Sequence, residues 1–302
     1  MVAACYFLTA QAGLLLAFDK TNGLSLWPAA GEALAALLRF GRRFWPGVFL
    51  GAGAVNALIF LPHPAASALL ASAVSAGIAA GGTLEAVAGA WWLDRWLDGR
   101  NPLRRSEDVF RFGVVALAVS LAGALNGSLL IRAAGFAAWE NEPIAFLIWW
   151  LGDFTAILAI TPLAVLWRER FRWTWTPART GEAALAALVI AGVGGIIFNV
   201  WGPELDWSQW KYFALAPLLW VALRFGRREA ALAFFLLAAI AVWGTVHEVG
   251  KFETRLSATA LLPLQSFIGF TGLTTLVIAA AVAERKEAAE SVRSEEHTSE
   301  LQ

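Results

Sequence analysis

Ten apolar stretches, near residues 2–18, 24–40, 44–62, 66–94, 109–133, 143–167, 182–201, 211–225, 229–246 and 258–283, alternate with short polar gaps along the 302-residue chain. Most are long enough to cross a hydrocarbon core of about 30 Å at about 1.5 Å of helical rise per residue. The cations between them are unevenly placed. Counted from the N-terminus, the second gap holds Arg39, Arg42 and Arg43, and Arg95, Arg100, Arg104, Arg105 and Arg111 lie in or beside the fourth. Arg168, Arg170, Arg172 and Arg179 fill the sixth gap, Arg224, Arg227 and Arg228 the eighth, and Arg285 and Lys286 follow the last stretch. The alternate gaps hold Lys20, Arg132, Lys211, Lys251 and Arg255. Cytoplasmic loops carry the excess of lysine and arginine. The pattern therefore predicts an all-α, polytopic helical bundle in a membrane, with about 8–10 transmembrane helices and both termini cytoplasmic. A miscount by one span would scatter the arginines over both faces, so the bias supports ten spans. Spans two and eight are the shortest, and reading both as half-helices that enter and return leaves eight full crossings.

Composition agrees. Hydrophobic residues make up 59% of the chain and its mean hydropathy is +0.62, which excludes an ordinary soluble domain. Sixteen tryptophans suit a protein with two interfaces to anchor. Trp45, Trp96, Trp167, Trp173 and Trp175 mark an inner belt; Trp27, Trp139, Trp201, Trp207, Trp210 and Trp243 mark an outer one. The net charge of zero hides the asymmetry between the two sides. Cys5 is the one cysteine, so neither a disulfide framework nor a cysteine metal cluster is expected. The first apolar run lacks a basic leader and reads as a retained helix. The outer gaps are too small to bury a core, so whatever the protein detects or handles lies in the bilayer, at its surface or between helices.

The hexapeptide Leu38 to Arg43 recurs unchanged as Leu223 to Arg228, with six spans between the copies. That spacing fits a parallel repeat about an axis along the membrane normal; equally, it fits a shared cytoplasmic turn with arginines at the headgroups. Gly47 and Gly51, Gly77 and Gly81, and Gly123 and Gly127 form small-xxx-small pairs that let helix backbones approach. Beyond the last span, Ile278, Val282, Ala289 and Val292 fit an a/d seam with Arg285 in the one spoiled position, so the membrane helix is expected to run on into a coiled coil. The division expected is a membrane-embedded domain over 1–284, the start of a cytoplasmic linker helix over 285–292, and a non-native tail over 293–302. The tail looks like the in-frame translation of a common sequencing adapter, so an output domain beyond residue 292 is expected.

Three acids fall inside spans: Glu32, Glu85 and Asp153. A carboxylate at membrane depth costs several kcal/mol unless paired, protonated or hydrated, which makes each a candidate functional group. Asp153 lies near mid-depth, with Trp149 and Thr161 on its helical face and Trp150 beside it. Pro162 cannot donate to the carbonyl of Leu158 and leaves an acceptor near that face. Glu85 follows Gly81 and Gly82, where the long fourth span is expected to bend. Arg132 is a candidate partner for Glu32, and Asn56, Asn126 and Asn199 read as interhelical hydrogen-bonding groups. His63 and His247 occupy matching outer ends, with too few further ligands for a metal site. The metalloprotease HExxH, the serine-hydrolase GxSxG, the phosphate-binding loop and the dinucleotide fingerprint are all missing, so neither catalysis nor a cofactor is expected.

Trp27-Pro28-Ala29-Ala30-Gly31, Leu38 to Arg43 with Gly41, Trp45-Pro46-Gly47 and Phe49-Leu50-Gly51 resemble the bacterial membrane-associated sensor domain of the first type, the MASE family. The resemblance continues through Thr83-Leu84-Glu85-Ala86, Trp150-Leu151-Gly152-Asp153, Thr161-Pro162-Leu163, Leu223-Arg224-Phe225-Gly226 and Glu284-Arg285, covering about Tyr6 to Arg285 in order. It implies a sensory input module in the bacterial inner membrane, usually described with about eight spans. Such modules precede histidine kinase, diguanylate cyclase, phosphodiesterase or PAS domains. Asp153 and Glu85 fall on motif positions. Glu32 stands where the family is apolar, and Gly82 replaces a usual asparagine. The expected partners are the lipid bilayer, an unidentified small or membrane-soluble ligand and a second copy through the cytoplasmic linker, with no nucleic acid. A transporter and a passive membrane anchor are the alternative readings.

Overall fold

Each apolar stretch is a helix in the computed structural model, which describes residues 1–15, 26–63, 67–136, 142–167, 175–200, 208–249 and 261–300. Among these residues the helices are α1 (Val2–Leu14), α2 (Pro28–Phe40), α3 (Trp45–Phe60), α4 (Ala68–Leu97), α5 (Ser106–Ala133), α6 (Glu142–Leu166), α7 (Pro177–Ile197), α8 (Leu215–Arg224), α9 (Arg227–Val249) and α10 (Leu261–Glu300). The gap residues Lys20, Arg168, Arg170, Arg172, Lys251 and Arg255, and Trp139, Trp173, Trp201 and Trp207 of the belts, lie outside the described residues. No strand occurs among the described residues, and helices suit lipid because their interior backbone groups bond within the helix.

Seven of these helices are long and apolar enough to cross a membrane, α3 being counted with the short 3-10 turn Arg42–Phe44 before it. The others are shorter, with 13 residues in α1, 13 in α2 and 10 in α8. α2 is wrapped by protein, burying Ala29, Gly31 and the run from Ala33 to Leu37. A helix enclosed along its middle in this way need not span the full hydrocarbon thickness, because neighbouring helices rather than lipid cover most of its length.

Sequence signals set several boundaries. Pro28 and Pro46 sit in the first turns of α2 and α3, where a missing N–H costs nothing. The Ser67 hydroxyl accepts from Leu70 N at 3.2 Å at the start of α4, and Thr176 accepts from Arg179 N at 3.3 Å at the start of α7. Gly41, with φ +97°, ends α2 in a backbone region that side chains disfavour. α4 stays helical through Gly81 and Gly82, so the bend expected there is not a break. Instead, a Cβ on Gly81 would strike the Asn126 side chain, which donates to Gly77 O at 3.0 Å and ties α5 to α4.

The arginine clusters meet at one end of the bundle. Arg39 Nη1 donates to Ala164 O of α6 at 3.4 Å, and Arg42 pairs with Asp94 of α4 at 3.7 Å. Arg100 pairs with Asp108 at 3.8 Å, Arg224 with Glu182 at 2.7 Å and Arg104 with Glu287 of α10 at 3.7 Å. These contacts bring the ends of α2, α4, α6 and α8 together with the starts of α3, α5 and α7, as the alternating gaps require. The repeated hexapeptides share this end but not a backbone. In the first copy Gly41 and a 3-10 turn separate the helices, whereas in the second α9 begins at Arg227 and Gly226 does not take a positive φ. The glycine pair at 47 and 51 does serve close helix packing, accepting Val2, Ala3 and Tyr6 of α1. α10 leaves the bundle as one helix of 40 residues. Ile278 packs on the core, whereas Ala289 and Val292 of the expected seam are exposed.

Candidate functional site

Acids from α4 and α6 meet in the interior, and Glu32 of α2 shares Tyr6 with them as a neighbour. Asp153 on α6 is 3% exposed and Glu85 on α4 is 6% exposed, and the two interact electrostatically. Trp149, one turn before Asp153, lies beside its carboxyl with the indole N–H as the available donor. Tyr6 of α1 is buried among them. Its hydroxyl accepts from the Trp27 indole, and it feels the charges of Asp153, Glu85 and Glu32 together. Among the described residues, Glu85 Oε1, Asp153 Oδ1 and Glu32 Oε2 are buried without a hydrogen-bond donor. Each such orphaned acceptor costs about 1–3 kcal/mol, so the cluster is held against its own energetics by the packing around it.

That packing depends on glycine. A Cβ on Gly123 of α5 would run into the Glu85 carboxyl, and one on Gly127, a turn later, would run into the Trp149 ring. The expected role of this glycine pair, backbone-to-backbone contact, is therefore replaced by a slot that seats one side chain from α4 and one from α6. On the opposite side, α2 lies directly on α6. A Cβ on Gly31 would meet Ile160 Cβ at 2.7 Å and Ala156 C at 2.9 Å, so only glycine permits the approach. Trp27 N donates to Gly152 O at 3.4 Å, and the buried Thr161 Oγ1 donates to Gly31 O at 2.9 Å. The segments Trp27 to Gly31, Trp150 to Asp153 and Thr161 to Leu163, far apart in sequence, thus form one interface next to the acids.

The structure brings together Asp153, Glu85 and Trp149, with Glu32 linked to them through Tyr6. It separates others. Thr161 shares Asp153's helix but bonds to α2, with Pro162 beside it inside α6. Trp150 turns to α5, donating Nε1 to Leu117 O at 2.9 Å. Pro28 packs under Gly13, Gly51 and Pro46 belong to the α1–α3 contact and the start of α3, and Gly41 and Gly226 lie at the arginine end. Asn56 bonds within its own helix, to Ala52 O at 2.9 Å, rather than between helices. Asn126 is interhelical, and Asn199 sits just past α7 with φ +52°. The His63 ring packs tilted against Phe136 with centroids 4.7 Å apart, and the side chain of His247 lies outside the described residues. Sequence reasoning missed Tyr6 and Gln265, whose Nε2 donates to Ile148 O at 2.9 Å and ties α10 to α6 near Trp149. Tyr6 is one of two tyrosines in the chain, and its place inside an apolar span was the available signal.

Residues 1–286 match the model of the MASE1 family. The chain is similar to the probable diguanylate cyclase DgcE of Escherichia coli strain K12, with 27% identity over 274 residues. The match covers 88% of this chain and 23% of that protein, so the chain spans less than a quarter of the curated relative. No solved structure matches.

Proposed function

The chain belongs to the MASE1 family, and from that premise we propose that it is the membrane-embedded input module of a signalling protein whose output is a cyclic-di-GMP enzyme or a histidine kinase. The similarity to a probable diguanylate cyclase favours the first of these outputs. The observation that carries the reading is α10, which bonds to α6 beside Trp149 through Gln265 and leaves the bundle as one unbroken helix. A helix fixed next to the acids at one end and running on past the bundle at the other suits a mechanical output.

In this reading the module lies in the inner membrane with its arginine end cytoplasmic. A small or membrane-soluble ligand, or a state of the membrane itself, favours one packing of α2, α4 and α6 around Glu85 and Asp153. The shift requires that the signal bind two packings with different affinity. Residues 285–292 begin the linker, and Ala289 and Val292 pair with a second copy. The chain itself performs no catalysis.

The test joins the chain through α10 to a diguanylate cyclase domain and measures cyclic-di-GMP. Asp153→Asn should change output at unchanged membrane expression. Equal output from wild type, Asp153→Asn and a version in which unrelated spans replace α1 to α9 would leave a passive anchor. Counterflow of a solute by the chain in liposomes would favour a transporter.

A further inference from the structure

We propose that Arg227 and Arg228 couple α6 to the exit helix α10, so that a displacement of the acid-bearing helix is passed to the output through the first turn of α9. The proposal rests on the reading of the chain as an input module, and adds to it the residues that carry the signal out. Arg228 Nε donates to Leu166 O, the last residue of α6, at 2.8 Å. Its neighbour Arg227 faces α10 instead. Arg227 Nη2 pairs with Glu287 Oε1, while Nη1 donates to Arg104 O at 2.6 Å. Glu287 also pairs with Arg104 at 3.7 Å, and one turn earlier Glu284 Oε2 accepts from Ser106 N at 3.3 Å and Ser106 Oγ at 3.2 Å. The exit helix is thereby clamped to the starts of α5 and α9 at the point where it leaves the bundle.

Two features argue that this arrangement is more than a shared basic turn. Cations at the first residues of α9 oppose its own macrodipole, which disfavours positive charge at an N-terminus. They are held there by the negative end of α6 and by a carboxylate of α10, so the position suits the neighbours and not the helix that carries it. Secondly, α9 packs along both α6 and α10, so the two arginines sit where the three helices meet. A guanidinium holds a carbonyl or carboxylate in a fixed planar geometry, and adjacent residues at a helix start move together. α6 carries Asp153 and ends at the Arg228 contact, so the path from acid to exit helix runs through bonded groups.

The test is amide hydrogen exchange of the full chain in lipid nanodiscs, read on peptides covering residues 282–294. Arg228→Ala touches no α10 contact described above, yet should speed exchange there by on the order of five-fold or more, the effect of losing at least one hydrogen bond from a local opening equilibrium. Arg228→Lys, which keeps the charge at this interface, should change exchange in the same direction by less. Arg39→Ala removes the other arginine bond to the end of α6, at Ala164 O, but adjoins no α10 contact. It should leave residues 282–294 as in wild type. Wild-type exchange at 282–294 in both Arg228 variants overturns the coupling. An Arg39→Ala effect as large as that of Arg228→Ala also overturns it, by showing general loosening. The assay reads no output, so its failure leaves the input-module reading standing, and that reading fails only in the cyclic-di-GMP experiment.

Discussion

Gly31→Ala should destabilise the bundle more than any ordinary glycine-to-alanine change in a helix. A methyl group at Gly31 points into the backbone of α6, at 2.9 Å from Ala156 C and 2.7 Å from Ile160 Cβ, and backbone cannot rotate away as a side chain can. α2 must move off α6. Overpacking of this kind costs about 1–3 kcal/mol. The movement also takes Gly31 O from the buried Thr161 hydroxyl, a further loss of about 1–3 kcal/mol for a donor left unsatisfied. Alanine returns about 1 kcal/mol through its higher helix propensity. The balance is a loss of roughly 1–5 kcal/mol. Gly192→Ala on α7 is the control, because a Cβ there meets nothing within 4 Å, and it should gain up to about 1 kcal/mol. Thermal and denaturant unfolding in detergent micelles, followed by circular dichroism, measure both. Thr161→Val supplies the second arm of a cycle: it should cost about 1 kcal/mol in the wild-type background and close to nothing beside Gly31→Ala, where its bond is already broken. Equal stability of the Gly31→Ala and Gly192→Ala proteins would refute the claimed contact between α2 and α6. An equal cost of Thr161→Val in both backgrounds would show that α2 had not moved.

Trp150→Phe keeps the ring but removes the donor to Leu117 O, and should lower stability by about 0.6–1.7 kcal/mol in the same unfolding assay while leaving the Trp149 contact to Asp153 in place. Reporter fusions after Arg104 and after Phe136 should show opposite faces, cytoplasmic and outer, since α5 lies between them; the same face for both would remove α5 from the set of crossings.

Among the described residues the chain alone determined the order of the helices, their approximate ends and which ends meet, although seven of them rather than ten are long and apolar enough to cross. Lipid makes that information local: a backbone in hydrocarbon must satisfy its own polar groups, and an arginine is confined to the nearest interface, so each stretch declares its state without reference to the others. The acids at 32, 85 and 153 were legible for the same reason, since a carboxylate within an apolar run is costly wherever its helix packs. What sequence could not supply was the choice of partner. Glu85 seats on Gly123, Trp149 on Gly127, and Gly31 beneath Ala156, and these pairings join residues with no periodic relation along the chain. Small residues at a four-residue spacing say that something comes close; only the rotation and depth of the neighbouring helix decide whether it is a backbone, a ring or a carboxyl. The identical hexapeptides make the same point, for Arg39 reaches α6 from the second position of its copy and Arg228 from the sixth. Their local sequence is the same, but the helices on either side place them differently, and tertiary packing decided which arginine of each copy reaches the end of α6.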